Sequence, residues 1–316
     1  MASILITGAH GFIGKYLARH LAAQQHTVCG VGHGTWPESE ARRWGVQRWM
    51  NSELTIAALR VLQRETGTPD IVYHLAGGSS VGAAIGQPRE DFFRTVVSTA
   101  ELLEWLRLEA RQTRLVAISS AAVYGAGHTG PISETATPTP FSPYGHHKLM
   151  MEQLCRSYAS TYGQAVTVAR LFSVYGPGLQ KQLLWDFCAK LAAGGDTVQL
   201  GGTGEELRDW THVQDIARAL CSLADTPSSD VPIYNLGTGI ATPVRAIATM
   251  LTRHWTDPEN RRPAVAFSGQ SRSGDPFSLV ANGERLAATG FRWQIEVAKG
   301  LAQYVDWYRE HGGMTS

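Results

Sequence analysis

The chain has 316 residues, a formal net charge of +1, and 43% hydrophobic and 17% charged residues, which is typical of a globular enzyme. A nearly neutral chain has no electrostatic footprint for nucleic acid or an anionic membrane, so we expect neither as a partner. Its four cysteines lack CxxC spacing, which argues against a metal site and a disulfide framework. No apolar run reaches spanning length and the N-terminus enters a predicted strand at once, so we expect a cytoplasmic protein.

Strand-like and helix-like patterns alternate through the first half of the chain. Short apolar runs suited to buried strands occupy residues 4–6, 27–31, 71–75, 115–118 and 165–171. Helical periodicity starts near residue 12 and recurs at residues 54–64, 88–106 and 144–162. This alternation predicts an α/β fold, a Rossmann-type doubly wound sheet of mostly parallel strands.

The pattern loosens after Val174. We predict helices at residues 182–193, 213–223, 244–255 and 297–309, and short strands at residues 198–200 and 265–267. Residues 257–275 are rich in Pro, Arg, Ser and Gly, which is typical of a surface loop. We expect residues 1–173 to form a dinucleotide-binding domain. Residues 174–316 are expected to form mainly a smaller C-terminal substrate-binding lobe, with some later segments returning to the first domain.

Three glycines follow the first predicted strand, and a helical pattern begins directly after them. Gly8 allows a tight turn, Gly11 allows the backbone to approach a pyrophosphate, and Gly14 allows close packing of helix on strand. The amides that open the helix then face the phosphates, which the positive end of the helix dipole favours. The motif predicts a dinucleotide site that includes Phe12 and Ile13.

A second pattern places a phenol and an ammonium on one helix face. Tyr144 and Lys148 stand four residues apart in a predicted helix, so both heads can reach one ligand. A phenol titrates at about 10, and a neighbouring cation lowers that pKa toward the value that a general base needs. Ser120 ends a predicted buried strand, where ligands of doubly wound sheets bind. These three residues are candidates for catalysis.

The glycine motif, the serine after a buried strand and the YxxxK helix together resemble the extended short-chain dehydrogenase/reductase superfamily. More narrowly, the chain is similar to the nucleotide-sugar epimerase/dehydratase branch over nearly its whole length. The further matching motifs are Tyr73-His74-Leu75-Ala76-Gly77, Ser142-Pro143-Tyr144-Gly145, Arg170-Leu171-Phe172-Ser173-Val174-Tyr175-Gly176-Pro177, Arg208-Asp209-Trp210-Thr211-His212-Val213, Asn235-Leu236-Gly237 and Arg272-Ser273-Gly274-Asp275-Pro276.

The resemblance implies a role for each candidate. Tyr144 is expected to be the acid/base. Lys148 is expected to lower the pKa of Tyr144 and to hold the nicotinamide ribose. Ser120 is expected to polarise the oxygen at the reacting sugar carbon. Arg208 and Arg272 match positions that grip the nucleotide diphosphate, as forked guanidinium groups can. We therefore expect a nucleoside-diphosphate sugar as the substrate, bound mainly by the C-terminal lobe.

The resemblance also implies the remaining contacts of the two ligands. The expected cofactor-binding residues are Gly8, Gly11, Phe12, Ile13, Gly14, His33, Asn51, Ser52, Leu75, Ala76, Gly77, Tyr144, Lys148 and Leu171. The expected substrate-binding residues are Ser79, Ser120, Ser173, Arg208 and Arg272. His10, His146 and His147 occupy variable positions inside these motifs, and we interpret them as spacers.

Members of this family commonly pair two helices, corresponding to residues 92–107 and 144–162, in a homodimer. In this chain Leu103, Met150, Met151 and Leu154 are expected to cover a second face of those helices. An apolar stripe is equally satisfied by packing on the parent sheet. With these additional apolar residues we expect a homodimer.

The end of the second predicted strand departs from the pattern of the family. NAD-preferring members usually carry an aspartate there, which bonds the adenosine ribose. This chain has His33 and no carboxylate, and Arg42 and Arg43 a little downstream suit a 2′-phosphate. The expected cofactor is therefore NADP(H) or NAD(H), with NADP(H) favoured.

Two further departures bear on the reaction. A 4,6-dehydratase of this family carries Asp-Glu directly after the catalytic hydroxyl residue, and a 3,5-epimerising reductase carries a cysteine there, but this chain has Ala121 and Ala122. Of the reactions known in this family, hydride transfer at C4 of a nucleotide hexose is the one that these residues still support. By a narrow margin the missing ribose carboxylate favours a 4-ketoreductase that consumes NADPH with an NDP-4-keto-6-deoxy sugar. The alternative is an NDP-sugar 4-epimerase with tightly bound NAD, and a 4,6-dehydratase or a non-catalytic dinucleotide sensor has less support.

Overall fold

The computed structural model describes residues 1–255, 262–270 and 276–312, so Arg272 and the neighbouring motif residues Ser273, Gly274 and Asp275 lie outside the described residues. In chain order the strands are β1 (Ser3–Thr7), β2 (Thr27–Gly32), β3 (Val46–Asn51), β4 (Ile71–His74), β5 (Arg114–Ser120), β6 (Val166–Leu171), β7 (Ser173–Tyr175), β8 (Thr197–Leu200), β9 (Leu207–Arg208), β10 (Trp210–His212), β11 (Ile233–Leu236), β12 (Thr242–Pro243), β13 (Ala264–Phe267) and β14 (Ser278–Leu279). The helices are α1 (Phe12–Ala23), α2 (Glu38–Arg43), α3 (Ile56–Thr66), α4 (Val81–Gly86), α5 (Pro88–Phe92), α6 (Ser98–Glu109), α7 (Pro143–Tyr162), α8 (Gln182–Ala192), α9 (Val213–Ser222), α10 (Val244–His254), α11 (Glu284–Ala288) and α12 (Val297–His311).

Seven parallel strands form the central sheet in the order β11-β6-β5-β4-β1-β2-β3. The chain moves outward from β1 to β3, returns to the other side of β1 with β4, and continues outward to β11. The strand order therefore reverses between β1 and β4, where doubly wound sheets bind ligands beyond the carboxyl ends of the strands. The Rossmann-type fold predicted from the sequence is confirmed.

Helices cover both faces of this sheet, which explains why its strands, apart from the edge strand β3, are mostly apolar. In β1, Ile4 and Ile6 belong to one buried cluster together with Leu17 of α1. Leu5, between them, belongs to a second cluster together with Leu103 of α6. Successive side chains of a strand point to opposite faces, so one strand supplies both layers of the core.

A third buried cluster lies outside the central sheet. It is formed mainly by α8, α10 and α12, and includes Phe187, Leu251 and Tyr304. Small sheets pair β8 with β13, β7 with β10, and β9 with both β12 and β14. Two later elements lie with the first part of the chain, because β11 pairs with β6 and α9 packs on α1. The division at residue 173 stays a prediction.

Several elements differ from the sequence expectation, and two of them bear on the central sheet and the cleft. Strand β3 was not expected, because it is an edge strand whose side chains are mostly exposed and which lacks an apolar run. The helix expected at residues 88–106 is instead α5, a π-helical segment at Phe93–Val97, and α6. π-Helical segments within helices are frequent at functional sites, and this one borders the cleft described below.

The residues expected to cover a second subunit divide into two groups. Leu103 and Met151 are 0% and 1% exposed and pack within the core of their own chain, so that expectation is wrong for them. Met150 is 41% exposed and Leu154 is partly buried. Within the described ranges, no helix is long and apolar enough to cross a membrane, and no cluster of three or more His, Cys, Asp or Glu side chains is arranged to hold a metal ion.

Candidate active site

A cleft opens at the carboxyl ends of the central strands, beside the reversal between β1 and β4. The expected site residues that line it are Gly8, Gly11, Phe12, Ile13, Gly14, His33, Ser52, Leu75, Ala76, Gly77, Ser79, Ser120, Tyr144, Lys148, Leu171, Ser173 and Arg208. Asn51 does not line the cleft, and its Oδ1 accepts a hydrogen bond from the amide of Gly34 instead (3.0 Å). The sequence motifs, far apart in the chain, therefore converge on one surface.

The loop after β1 is a tight cradle. Gly8 has φ +74°, and its amide donates to the carbonyl of Val31 (2.7 Å). A Cβ at Gly14 would collide with the carbonyl oxygen of Gly8 and lie 2.8 Å from Cα of Ala9. Gly11 caps α1 and has no side chain to cover the amides of the first turn. The residues present therefore fit the pyrophosphate of a dinucleotide, which binds at such helix N-termini.

Helix α7 begins where the sequence provides a cap. Ser142 accepts a hydrogen bond from the amide of Gly145 (3.2 Å), and Pro143 occupies the first helical position, where its missing N–H costs nothing. The helix packs against β5 and against the 3₁₀ turn at Ala121–Val123 that follows it. This packing places Tyr144 and Lys148 beside the end of β5, which carries Ser120.

The three catalytic candidates are brought together in the cleft. Ser120 Oγ accepts a hydrogen bond from the amide of Ala122 (3.2 Å), which leaves the hydroxyl proton of Ser120 available for another acceptor. Lys148 is 4% exposed, and its Nζ donates to the carbonyl of Ile118 (3.0 Å). Tyr144 is half-buried, and its ring lies 5.9 Å from Nζ of Lys148. The Ser120 hydroxyl, the Tyr144 phenol and the buried Lys148 ammonium therefore all line the cleft.

Burial dominates the electrostatics of this group. It lowers the pKa of Lys148 to about 8, while the charges of Asp91 and Glu152 act in the opposite direction. Burial also raises the pKa of Tyr144, opposed by the hydrogen bond with Ser120 and reinforced by Asp91. The sequence analysis expects Lys148 to lower the pKa of Tyr144. In the structure the net pKa is raised, because loss of hydration outweighs the other influences on the phenol.

A buried polar chain joins β1, β4 and α6 beneath the cleft. His74 Nδ1 lies 2.8 Å from Thr7 Oγ1, and His74 Nε2 lies 2.9 Å from Thr99 Oγ1. The hydroxyl of Thr99 donates to the carbonyl of Thr95, so it accepts from Nε2–H, and Thr7 donates to Nδ1. With this assignment His74 is neutral. Burial favours the same state, because it lowers the pKa of His74 to about 3. Thr7 also accepts from the amide of Ala76, which fixes the turn after β4 (3.1 Å).

A second buried chain supports α7. Arg170 of β6 forms a bidentate pair with Glu152, with distances of 2.9 and 2.6 Å, and both side chains are 1% exposed. Ser119 donates to the same carboxylate (2.6 Å). The sequence analysis did not identify this role of Glu152. A signal was present, because Glu152 follows Tyr144 and Lys148 at further four-residue intervals on the same helix face.

Asp91 and His147 form a third contact that the sequence analysis missed. Nδ1 of His147 lies 2.6 Å from Oδ2 of Asp91, and Asp91 is 5% exposed. The carboxylate packs directly against Gly78 in the loop after β4. The interpretation of His147 as a spacer is therefore wrong. No local pattern marks this pair, since its members are 56 residues apart.

His33 directly follows β2 and lines the cleft. Arg42, which was expected to suit a 2′-phosphate, is paired with Glu38 one helical turn earlier (2.6 Å). Neither Arg42 nor Arg43 is among the described residues that line the cleft.

Residues from the later part of the chain also line the cleft. Arg208 stands on β9 and donates to the carbonyl of Leu207 (2.9 Å). Lys181 precedes α8 and donates to the carbonyl of Ser79 (3.2 Å). The sequence analysis did not single out Lys181, because it lies between motifs. The cleft thus contains both a dinucleotide cradle and cationic side chains.

Residues 4–237 match the NAD dependent epimerase/dehydratase family. The chain is 27% identical over 336 residues to the "Probable UDP-glucuronate 4-epimerase" of Rhizobium meliloti (strain 1021), covering 97% of each chain. It is 32% identical over 253 residues to the dTDP-glucose 4,6-dehydratase of Neisseria meningitidis serogroup B, covering 75% of this chain and 71% of that protein. Among solved structures, "MoeE5 in complex with UDP-glucuronic acid and NAD" has a TM-score of 0.83 and 30% identity, covering 98% of this chain and 99% of that one.

Proposed function

We propose that this chain, which belongs to the NAD-dependent epimerase/dehydratase family, inverts the configuration at C4 of a UDP-hexose with bound NAD. The family match confirms the resemblance carried by the sequence motifs and the prediction of a nicotinamide cofactor. The sequence favours a 4-ketoreductase, but the relatives reported above are named as a 4-epimerase and a 4,6-dehydratase. The 4-epimerase alternative therefore has the better support.

One observation carries the proposal. Tyr144, Ser120 and Lys148 meet in a cleft that also contains the dinucleotide cradle, so proton transfer and hydride transfer have a common place. Immediately after Ser120 the cleft is lined by Ala121 and Ala122, which offer no carboxyl group. Elimination of water from a hexose needs such a second acid/base pair. The arrangement supports redox chemistry at one carbon without dehydration.

In the proposed mechanism Tyr144 moves the proton of the C4 hydroxyl. Its phenolate takes this proton as the C4–O bond becomes a carbonyl, and the phenol returns it when hydride arrives on the opposite face. Ser120 donates its free hydroxyl proton to the same oxygen. The ammonium of Lys148 stabilises the phenolate electrostatically. Bound NAD would supply a reversible acceptor for the hydride of C4, so no net reductant would be consumed.

Gly8, Gly11 and Gly14 are proposed to hold the pyrophosphate, and Lys148 the nicotinamide ribose. His33 is proposed to lie at the adenosine ribose, where it suits a diol at least as well as a phosphate. Arg208, with Arg272 outside the described residues, is proposed to bind the diphosphate of the substrate. On this proposal the residues after 173 supply most contacts to the sugar nucleotide.

The experiment separates epimerase from reductase. The purified protein is denatured, the released dinucleotide is identified, and fresh protein is incubated with UDP-hexoses and with an NDP-4-keto-6-deoxy sugar. We expect bound NAD, interconversion of C4 epimers, and no loss of NADPH absorbance. Empty protein that consumes NADPH stoichiometrically with the keto sugar would overturn the proposal in favour of the 4-ketoreductase, which the missing carboxylate after β2 still favours.

We also propose that the chain forms a homodimer. Phe93 and Met150 are 46% and 41% exposed, and large exposed apolar side chains suit an interface. Sedimentation analysis of the wild-type protein and of Met150→Glu tests this. We expect a dimer that dissociates in the variant, whereas a monomeric wild-type protein would contradict the proposal.

A further inference from the structure

Lys181 is a half-buried cation in the candidate active site. It lines the cleft, and its Nζ donates to the carbonyl of Ser79 (3.2 Å). Among the described residues it forms no ion pair, and burial lowers its pKa without any carboxylate to oppose that effect. A half-buried charge with only a neutral partner is costly, and an anion placed beside it would be stabilised.

The loop that carries Lys181 is fixed from both sides. The hydroxyl of Tyr16 in α1 donates to the carbonyl of Pro177 (2.9 Å). The hydroxyl of Tyr304 in α12 donates to the carbonyl of Leu179 (2.6 Å). Two hydroxyl groups thus hold the backbone just before Lys181, so the segment that carries this side chain is preorganised beside the cleft.

The backbone at the end of this loop is strained. Gln182, the first residue of α8, has φ +66°, in the left-handed region that residues other than glycine rarely adopt. Such conformations persist only where the surrounding structure imposes them, and they cluster at ligand sites. Gln182 also lines the cleft. The strain therefore marks the junction that places Lys181.

The contact with Ser79 locates the ammonium of Lys181 at the catalytic end of the cleft. Ser79 lies two residues after Gly77, and a Cβ at Gly77 would lie 3.2 Å from Nζ of Lys148. Arg208, which is proposed to bind the diphosphate, stands on β9 in the small sheet with β12 and β14. Because Lys181 and Arg208 stand on separate elements, we assign them to different parts of an extended ligand.

We propose that Lys181 pairs with an anionic group on the hexose itself, so that the preferred substrates are nucleotide sugars whose hexose carries a carboxylate. This inference rests on the proposed function, because it assumes that a sugar nucleotide occupies the cleft with its C4 at Tyr144. It assigns Lys181 as a specificity-determining residue and not as part of the proton transfer.

The test compares binding of UDP-glucuronate and UDP-glucose by calorimetry, in a Tyr144→Phe background that prevents turnover. We expect Lys181→Met to weaken binding of UDP-glucuronate about 10- to 100-fold, as loss of a charged hydrogen-bond partner does. Binding of UDP-glucose is expected to change less than about threefold, since that sugar has no anionic group for Lys181. Lys181→Arg, which keeps the charge, is expected to keep the preference for the uronate.

Lys299 offers a control outside the cleft. It is an exposed lysine of α12 that is not among the described residues lining the cleft. Lys299→Met is expected to leave both affinities unchanged. Equal losses for both nucleotides in Lys181→Met would indicate a contact with the diphosphate and overturn the inference, as would no loss for either. Because binding is measured without turnover, a failed epimerase assay of the wild-type protein is a separate result.

Discussion

Two buried carboxylates lie near Lys148, and they differ in the partner that neutralises them. Glu152 is held by the guanidinium of Arg170, which stays charged at every pH that a protein survives. Asp91 is held instead by the imidazole of His147, whose Nδ1 lies 2.6 Å from Oδ2 of Asp91. The first pair is thus a permanent ion pair between two side chains that are 1% exposed, whereas the second contains no guanidinium.

The two carboxylates also act on different groups. Both raise the pKa of Lys148, but only Asp91 is among the causes that raise the pKa of Tyr144. Glu152 lies two helical turns beyond Tyr144 and is saturated by Arg170 and Ser119. A carboxylate buried close to the candidate site can therefore only support the fold, as Glu152 does, or also raise the pKa of Tyr144, as Asp91 does. The partner of each carboxylate indicates which of these roles it has.

Removal of Tyr144 is expected to have the largest effect. Tyr144→Phe should lower kcat about 10²- to 10⁴-fold while dinucleotide binding persists, because the general acid/base is lost and the cradle is intact. In that background Asp91→Asn should cause little additional loss, since the phenol whose pKa Asp91 raises is already absent. Turnover numbers of the single and double variants measure this. Activity of Tyr144→Phe within a few-fold of wild type would contradict the assignment.

The difference between the residues found from the sequence and those missed has a physical cause. Gly8, Tyr144 and Lys148 are recognisable because their function depends on local spacing, which the strand and helix periods fix. The contacts of Asp91 and Arg170 join residues far apart in the chain, so no local period contains them. The sequence therefore predicts the groups that touch the ligands better than the groups that tune them.

Breaking the permanent pair should cost stability. Arg170→Met leaves Glu152 buried without its counter-ion, which is expected to lower the free energy of unfolding by about 3–5 kcal/mol. Urea denaturation measures the loss. The double variant Arg170→Met with Glu152→Leu is the control, because replacing both charges by apolar groups should recover most of it. A loss below about 1 kcal/mol in the single variant would show that the pair is not needed.

The pH dependence of stability shows whether the charges of Asp91 and Glu152 fully offset the cost of burying the Lys148 ammonium. Its pKa is lowered from 10.5 to about 8. Below pH 8 Lys148 is therefore protonated in both the folded and the unfolded chain, and the folded chain bears the full free-energy cost of burying the ammonium. Between pH 8 and pH 10.5 only the unfolded chain keeps this proton, so the free energy of unfolding should rise with pH. The rise is expected to reach about 3 kcal/mol.

Lys148→Met should remove this rise, which denaturant midpoints between pH 7 and pH 10 measure. The variant also loses the hydrogen bond to Ile118, so its stability at any single pH is less informative than the slope. An unchanged slope in the variant would show that other groups cause the pH dependence.

Asp91→Asn is expected to have the smallest effect. It probes the pair of Asp91 and His147 directly. The carboxylate raises the pKa values of Tyr144 and Lys148, so its removal should lower both. The phenolate then forms at lower pH and the ammonium is also lost at lower pH. Both limbs of the pH profile of kcat/KM should therefore move toward acid.

The matched control for Asp91 is its neighbour Glu90, an exposed carboxylate of α5 that pairs with Arg94 (2.6 Å). Solvent screens such a surface charge, so Glu90→Gln should leave the profile in place. A profile that moves equally in both variants would show a general effect of net charge. A profile that moves in neither would mean that Asp91, like Glu152, only supports the fold, and the difference between the two carboxylates would then lie in their partners and not in their effect on catalysis.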